Sequence, residues 1–461
     1  MLETVSTNTN DIILGEEQEA VLKMLKDFVA ERTKPACLYY GSAGTGKSIL
    51  VNYFINWCEK KGISYTLCAP THKAALVLSR YTNRDAITLH KLLSLSPKID
   101  IFALDFNNLM FYSKGYSADM PYKGVIICDE SSMINDDLYD VLLAKAKEFD
   151  NQIVFTGDFA QLQPVKQEYI TKVSHTEPRM ELTKIWRQAD KNGLIPILQT
   201  LRTHSINHFD NSIGEQGSLL VTHDMKEFLN TAKSQFKKAL QNSDILYTKI
   251  LCYTNDRVRA YNQAMHKTMF GGDKEYYKGE FLIGNENLEF NHTKFYNSMD
   301  YIIVTDPCDT VIHIPYFGDM PGIRMELYDS LTKTSENISI LSRNISKDYI
   351  EALTCKIEDY RQQAVSWAAI NKAKGSFYWK KYFEMMGSFT TPVDLYYDGR
   401  LVRKKSFDYS YAISTHKSQG STFNNVLVDI KNINSCSDEA VRRQLQYVAL
   451  SRTRQNALIY Q

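Results

Sequence analysis

From Glu16 to Val29 the apolar residues Ala20, Val21, Met24, Leu25, Phe28 and Val29 recur at helical spacing, which predicts an amphipathic helix near the start of the chain. Apolar and polar blocks then alternate with short connections. Strands are predicted over Cys37–Tyr40, Tyr65–Ala69, Gly124–Cys128 and Gln152–Thr156, with helices over Ser48–Lys60 and His72–Ser79. Such alternation predicts a parallel sheet covered by helices. The rhythm fails between Ser94 and Tyr122, where aromatics are interleaved with Pro97, Gly115 and Pro121, and an inserted hairpin or small subdomain is expected there. A second alternating set follows: strand Ile250–Tyr253, helix Asp256–Met269, strand Tyr411–Ser414, strand Asn425–Val428 and helix Asp438–Ala449. It predicts a second α/β unit. Between its halves, 275–405 carries strand-like runs (Tyr301–Thr305, Thr310–Ile314) and a helical stretch (Lys347–Ala373), the pattern of an insertion with its own β-rich core.

Composition narrows the function classes. The 461 residues, 44% of them hydrophobic, suffice for about three domains. A net charge of +1 and a pI of about 7.6 exclude a globally basic nucleic-acid binder, so a nucleic-acid site has to be local. The eight cysteines are scattered, with no C-x-x-C pair and no histidine at zinc spacing, which argues against a disulfide framework or structural zinc and suits a reducing cytoplasm. No apolar stretch approaches membrane-spanning length, and Met1–Asn10 is polar, so neither a membrane partner nor secretion is expected.

The sharpest chemical signal is Gly41-Ser42-Ala43-Gly44-Thr45-Gly46-Lys47-Ser48, directly after a predicted strand and opening a predicted helix. Glycines let such a loop turn its N–H groups onto a phosphate, the lysine reaches the β and γ oxygens, and the serine ligates Mg²⁺. Val125-Ile-Ile-Cys-Asp129-Glu130 is an apolar strand ending in two carboxylates, with Asp129 suited to hold Mg²⁺ and Glu130 to activate the attacking water. Gly157-Asp-Phe-Ala-Gln161 follows a third buried strand, so Gln161 is a candidate sensor of the γ-phosphate.

Further strings occur in the order found in superfamily 1 helicases of the 5′-to-3′ branch, and the chain resembles that family. Leu14-Gly-Glu-Glu-Gln18 resembles its adenine-reading Q motif, and Gly41–Ser48 its motif I. Ala69-Pro70-Thr71-His72-Lys73-Ala-Ala75 resembles motif Ia, and Thr88-Leu-His90-Lys-Leu-Leu93 the next DNA-contacting motif. Asp129–Met133 matches motif II and Gly157–Val165 motif III. Leu182-Thr-Lys-Ile-Trp-Arg187-Gln188 resembles motif IV, Ser414-Thr415-His416-Lys417-Ser418-Gln419-Gly420 motif V, and Tyr447-Val-Ala-Leu-Ser451-Arg452-Thr-Arg454 motif VI.

The resemblance implies an α/β fold of two RecA-like parallel-sheet domains, 1–93 with 123–180 and 181–274 with 406–461. A pin subdomain (94–122) is inserted in the first and a β-rich, SH3-like domain with a helical extension (275–405) in the second. It implies ATP with Mg²⁺ in the interdomain cleft, Gly420 beside the nucleotide, and Arg187 and Arg452 as arginine fingers. Pro70, Thr71, His72, Lys73, His90, Thr415, His416 and Ser418 are expected to grip phosphate and sugar of a single strand. Phe102, Phe106, Phe111 and Tyr112 are candidates for stacking at a duplex junction. The implied partners are single-stranded DNA, duplex junctions and replication or recombination proteins, for a cytoplasmic monomer moving 5′ to 3′. Two other readings stay open at this point: an ATPase switch acting on a protein partner, and a nucleotide-regulated nucleic-acid-binding module that does not unwind.

Overall fold

A computed structural model describes residues 13–98, 110–113, 119–164, 170–185, 192–290 and 293–461. The first sheet has six strands in the order Ala86–Thr88, Tyr65–Ala69, Val125–Cys128, Gln152–Gly157, Ala36–Gly41 and Arg179–Leu182. Every neighbouring pair is parallel. Helices cover both faces, so the strands read as continuous apolar runs. In strand Ala36–Gly41, Cys37 and Tyr39 pack with Val21, Leu25 and Phe54 on one side, while Ala36 and Leu38 pack with Leu89 and Leu142 on the other. The predicted first helix is present as Glu16–Glu31 and supplies Val21 and Leu25 to that core.

The second sheet is parallel throughout, in the order Ala412–Ser414, Thr248–Cys252, Phe423–Asp429, Thr453–Tyr460 and Ser218–Thr222. Its two faces belong to different cores, with Ile250 and Cys252 on one and Leu251, Val426 and Val428 on the other. Leu95–Lys98 and Met110–Ser113 pair antiparallel, so a hairpin interrupts the first unit as the broken rhythm predicted. Phe111 and Tyr112 lie on its second strand, whereas Phe102 and Phe106 fall outside the described residues.

An antiparallel sheet occupies the long insertion, built on Cys308–Ile314, Gly318–Asp329, Asp300–Ile303, Phe281–Gly284 and Thr334–Leu341, and it takes in Phe407–Tyr409 from just past the expected boundary at 405. The helical stretch expected over Lys347–Ala373 is two helices, Lys347–Ile370 and Lys372–Gly387. Asn371 separates them because its backbone is extended and its side chain accepts from the N–H groups of Ala373 and Lys374, capping the second helix. Among the described residues no helix is long and apolar enough to cross a membrane.

The insertion is not independent of the second sheet. Ile250, Cys252 and Leu427 share one apolar cluster with Tyr301, Ile303, Met325 and Phe407. A buried charge reinforces the junction. Lys249, fully buried, donates from Nζ to Asp300 Oδ1 at 2.9 Å and to the Ser410 carbonyl at 2.7 Å. On the other side of the same carboxylate, Lys73 Nζ of the first lobe stands 3.9 Å from Asp300 Oδ2. Burial opposes ionisation of Asp300, but the ammonium groups of Lys249 and Lys73, with the Ser410 hydroxyl, hold it below the usual carboxylate range. Its stabilisation is therefore present above the unfolded carboxylate value of about 3.9 and is lost as pH falls through the lower folded value. Asp300→Ala, which strands a buried ammonium, is expected to cost about 3–5 kcal/mol in denaturant unfolding. A loss below about 1 kcal/mol would show that water solvates Lys249.

Candidate functional site

Parallel strands all finish on one edge, and register decides which residues stand level there. Tyr40 is paired with Gly157, and Cys128 with Phe155, so the loop after Gly41, the carboxylates after Cys128 and the segment after Gly157 emerge side by side. This is where an open α/β sheet binds its ligand.

The loop takes left-handed backbone at Gly44 (φ +87°) and Gly46 (φ +84°). Helix Lys47–Lys60 follows with no side-chain cap, leaving its first N–H groups for a ligand. Lys47 Nζ donates to the carbonyls of Gly41 at 2.7 Å and Ser42 at 2.9 Å, which holds the loop in shape. Thr45 is buried and donates to the Ser42 carbonyl at 2.9 Å. Gln18 is tied to the loop itself: its Nε2 donates to the Thr45 carbonyl at 3.1 Å and its Oε1 accepts from Gly15 N at 3.0 Å. In this form its amide positions the loop, whereas the sequence resemblance assigns it to the base. A side chain at Gly46 would be strained at φ +84° and would place Cβ 2.2 Å from Gln18 Nε2, so the Gln18 amide would have to move off the loop. Ala43 lines the adjoining cavity and Ser48 is exposed at the helix start.

Asp129 accepts from Glu130 N at 2.8 Å, and Glu130 itself has φ +52°. Burial, then the neighbouring charge of Glu130, push the Asp129 carboxyl up to about 7 against the pull of the Glu130 N–H and Lys47. A carboxyl so placed favours an adjacent cation. Among the described residues, the buried hydroxyls of Ser42, Ser131 and Ser132 and the buried Gln161 Oε1 find no hydrogen-bond partner. Unpaired buried polar groups around a loop of inward N–H donors fit a polyanion with its divalent cation.

The second lobe closes a cavity of about 530 Å³ over Ser42 and Ala43, with Arg202, Arg443 and Tyr447 in its wall. Arg202 pairs with Glu181 at 2.6 Å, and Arg443 donates to the Arg202 carbonyl. The arginines expected there behave differently. Arg187 lies outside the described residues. Arg452 is 5% exposed and is held on its own lobe by the carbonyls of Val448 and Ser421, each at 3.3 Å, and by the Ser451 hydroxyl. Sequence reasoning missed Arg202, Arg443, Asp158 and Glu17. Glu17 accepts from Thr183 N at 2.9 Å and Lys184 N at 3.0 Å, anchoring the segment that leads to Arg187. Asp158 and Glu17, each inside a recognised string, carried a usable signal, whereas Arg202 and Arg443 carried none.

The strand-gripping set divides in the same way. His72 is exposed and stacks on Tyr296 of the insertion at 4.5 Å, with Pro70 and Thr71 half-buried beside it. Thr71 caps the next helix by accepting from Ala74 N at 3.2 Å. Lys73 departs from expectation: it is 8% exposed and donates to the Ser298 carbonyl at 2.9 Å, next to Asp300. His90 is half-buried near His72, whose ring is held below the usual imidazole range by partial desolvation and then by the His90 charge. In motif V only His416 is exposed. Thr415 donates to the Cys252 carbonyl at 3.2 Å and Ser418 to the Thr415 carbonyl at 2.7 Å, both fully buried, so their hydroxyls build the turn. Gly420 has φ +71° with open space where a side chain would stand.

A family model described as an AAA domain matches residues 14–224, and one described as a UvrD-like helicase C-terminal domain matches 409–460. The chain is 27% identical over 257 residues to an ATP-dependent DNA helicase, dda, of Enterobacteria phage T4, covering 54% of this chain and 56% of that one. It is 32% identical over 196 residues to the ATP-dependent RecD2 DNA helicase of Deinococcus radiodurans, covering 42% of this chain and 24% of the relative. The chain thus spans about half, and about a quarter, of the length of these relatives. In fold it is similar to a Pif1 helicase from Bacteroides solved with ADP-AlF3 and ssDNA, at TM-score 0.50 and 17% identity over 97% of this chain and 92% of that one. Gly46→Ala is expected to weaken nucleotide binding at least about tenfold, about 1.4 kcal/mol, in a fluorescent-nucleotide titration. Unchanged affinity would mean that the loop does not cradle the phosphates.

Proposed function

We propose that this chain, which belongs to the superfamily 1 helicases of the Dda type, is an ATP-driven motor that translocates 5′ to 3′ on single-stranded DNA and opens duplex junctions. One observation carries the reading. The phosphate loop, the Asp129–Glu130 pair and Gln161 follow adjacent strands on one sheet edge, and Ser42 and Ala43 of that loop line a cavity whose far wall belongs to the second lobe. A site completed by two lobes changes their separation whenever its ligand changes.

Lys47 exchanges the Gly41 and Ser42 carbonyls for the β and γ oxygens of ATP. Ser48 and Asp129 are the residues suited to hold Mg²⁺, which when bound neutralises charge developing on the phosphates. Glu130 orients and deprotonates the attacking water. Arg187 and Arg452 are the candidates to approach the γ-phosphate from the second lobe. For Arg452 this requires release from the Val448 and Ser421 carbonyls. Pro70, Thr71, His72 and His90 on one lobe and His416 on the other grip the strand alternately as the cleft closes and opens. We assign the active form to a monomer in the cytoplasm, serving replication or recombination proteins.

Strand displacement on 5′-tailed and 3′-tailed duplexes with ATP tests motor activity and polarity together. Unwinding of the 5′-tailed substrate alone is the expected result; opening only the 3′-tailed one would reverse the polarity, and opening neither would leave an ATPase without a motor. Glu130→Gln is expected to lower kcat for ATP by about 10²–10⁴-fold with nucleotide binding retained. An active Glu130→Gln enzyme would refute the role given to that carboxylate.

A further inference from the structure

The segment after strand Gln152–Gly157 belongs to the first lobe by chain but docks on the second. Leu162, 3% exposed, sits in the apolar cluster of the second sheet with Leu194, Leu201 and Tyr447. Its carbonyl accepts from Gln419 Nε2 at 3.3 Å. Asp158, 1% exposed, accepts the Tyr447 hydroxyl through Oδ2 at 2.7 Å. The same oxygen accepts from Gln161 Nε2 at 3.4 Å. A carboxylate can only accept, so Gln161 must turn its NH₂ toward Asp158 and its carbonyl oxygen away. That oxygen is buried and has no partner among the described residues. Burial, then the charge of Asp158, raise the Tyr447 hydroxyl well above the usual phenol range, so it remains a donor.

We propose that Tyr447 is a positioning residue for hydrolysis: by holding Asp158 from the second lobe it fixes the Gln161 amide with its oxygen free to accept a hydrogen bond from the attacking water. Phosphate oxygens are acceptors and cannot satisfy Gln161 Oε1, whereas water can. The device makes hydrolysis conditional on docking, because the Tyr447 hydroxyl arrives with helix Glu439–Ser451 of the second lobe. Tyr447→Phe removes the hydroxyl and keeps the ring in its cluster. This inference rests on the ATPase reading above.

The test is a mutant cycle on DNA-stimulated ATP hydrolysis by the full chain, comparing Tyr447→Phe, Gln161→Ala and the double variant. Tyr447→Phe is expected to lower kcat about 10- to 100-fold. KM for ATP should stay within about threefold, since the ring stays in the cavity wall and the hydroxyl removed is bonded to Asp158. The double variant should be no slower than Gln161→Ala alone, as expected of two residues acting through one contact. Wild-type kcat in Tyr447→Phe, or losses that multiply in the double variant, would overturn the proposal. Should Tyr447→Phe melt early, Asp158→Ala is expected to show the same kcat loss and the same non-additivity with Gln161→Ala, and full activity there would overturn it equally. Strand displacement by the parent chain separates the two readings. A parent that hydrolyses ATP without opening duplex fails as a motor but still reports the cycle, and one that hydrolyses no ATP overturns both.

Discussion

The cleft depends on the register of one parallel sheet. Strands that all run the same way deliver their following loops to one edge, and pairing of Tyr40 with Gly157 and Cys128 with Phe155 sets three such loops level. Parallel strands need crossovers packed on the faces, so the sheet is buried on both sides and cannot slide without exposing Cys37 and Tyr39 or Ala36 and Leu38 to water. The rigidity that positions Lys47, Asp129 and Gln161 is thus a by-product of apolar burial. Gly157 adds a local constraint: a Cβ there would stand 3.0 Å from Ser131 Oγ and 3.1 Å from Ser132 N, so a side chain would press on the turn after Cys128.

Contacts between the lobes are of a different kind. A hydrogen bond to a charged group contributes about 1.5–3 kcal/mol and a neutral one about 1 kcal/mol. The Tyr447–Asp158 and Gln419–Leu162 bonds fall in those classes. Each is small against the 5–15 kcal/mol that holds a domain folded, so losing either bond on its own would unfold neither lobe. The Lys249–Asp300 pair, by contrast, lies within the second lobe and its insertion, where a buried carboxylate holds the junction in one arrangement. Lys73 approaches that same carboxylate from across the cleft at 3.9 Å, a distance that adds attraction without a direct hydrogen bond.

Much of the fold was legible because its signals are local. Doubly buried strands announce themselves as apolar runs, and the phosphate loop as glycines between a strand and a helix. The break at Asn371 was not read, since a helical run on either side masks one residue whose extended backbone and capping side chain start a new helix. The site was legible where chemistry is carried by a string, as at Gly41–Ser48 and Asp129–Glu130. It was illegible where a side chain has two uses. Thr415 and Ser418 are polar residues at a strand end, and nothing in their spacing says that both hydroxyls turn inward to backbone carbonyls.

By itself, the sequence determined the two α/β units, the interruptions in each, the phosphate loop and the carboxylate pair, because periodicity and glycine placement are properties of neighbouring residues. Tertiary structure alone decided where the long side chains go. Lys73 meets Asp300, 227 positions away along the numbering, Arg452 folds back on its own lobe, and Tyr447 reaches Asp158 across the cleft. A flexible cation or phenol takes whichever partner burial leaves unsatisfied, and that partner is chosen by packing between segments far apart in the chain.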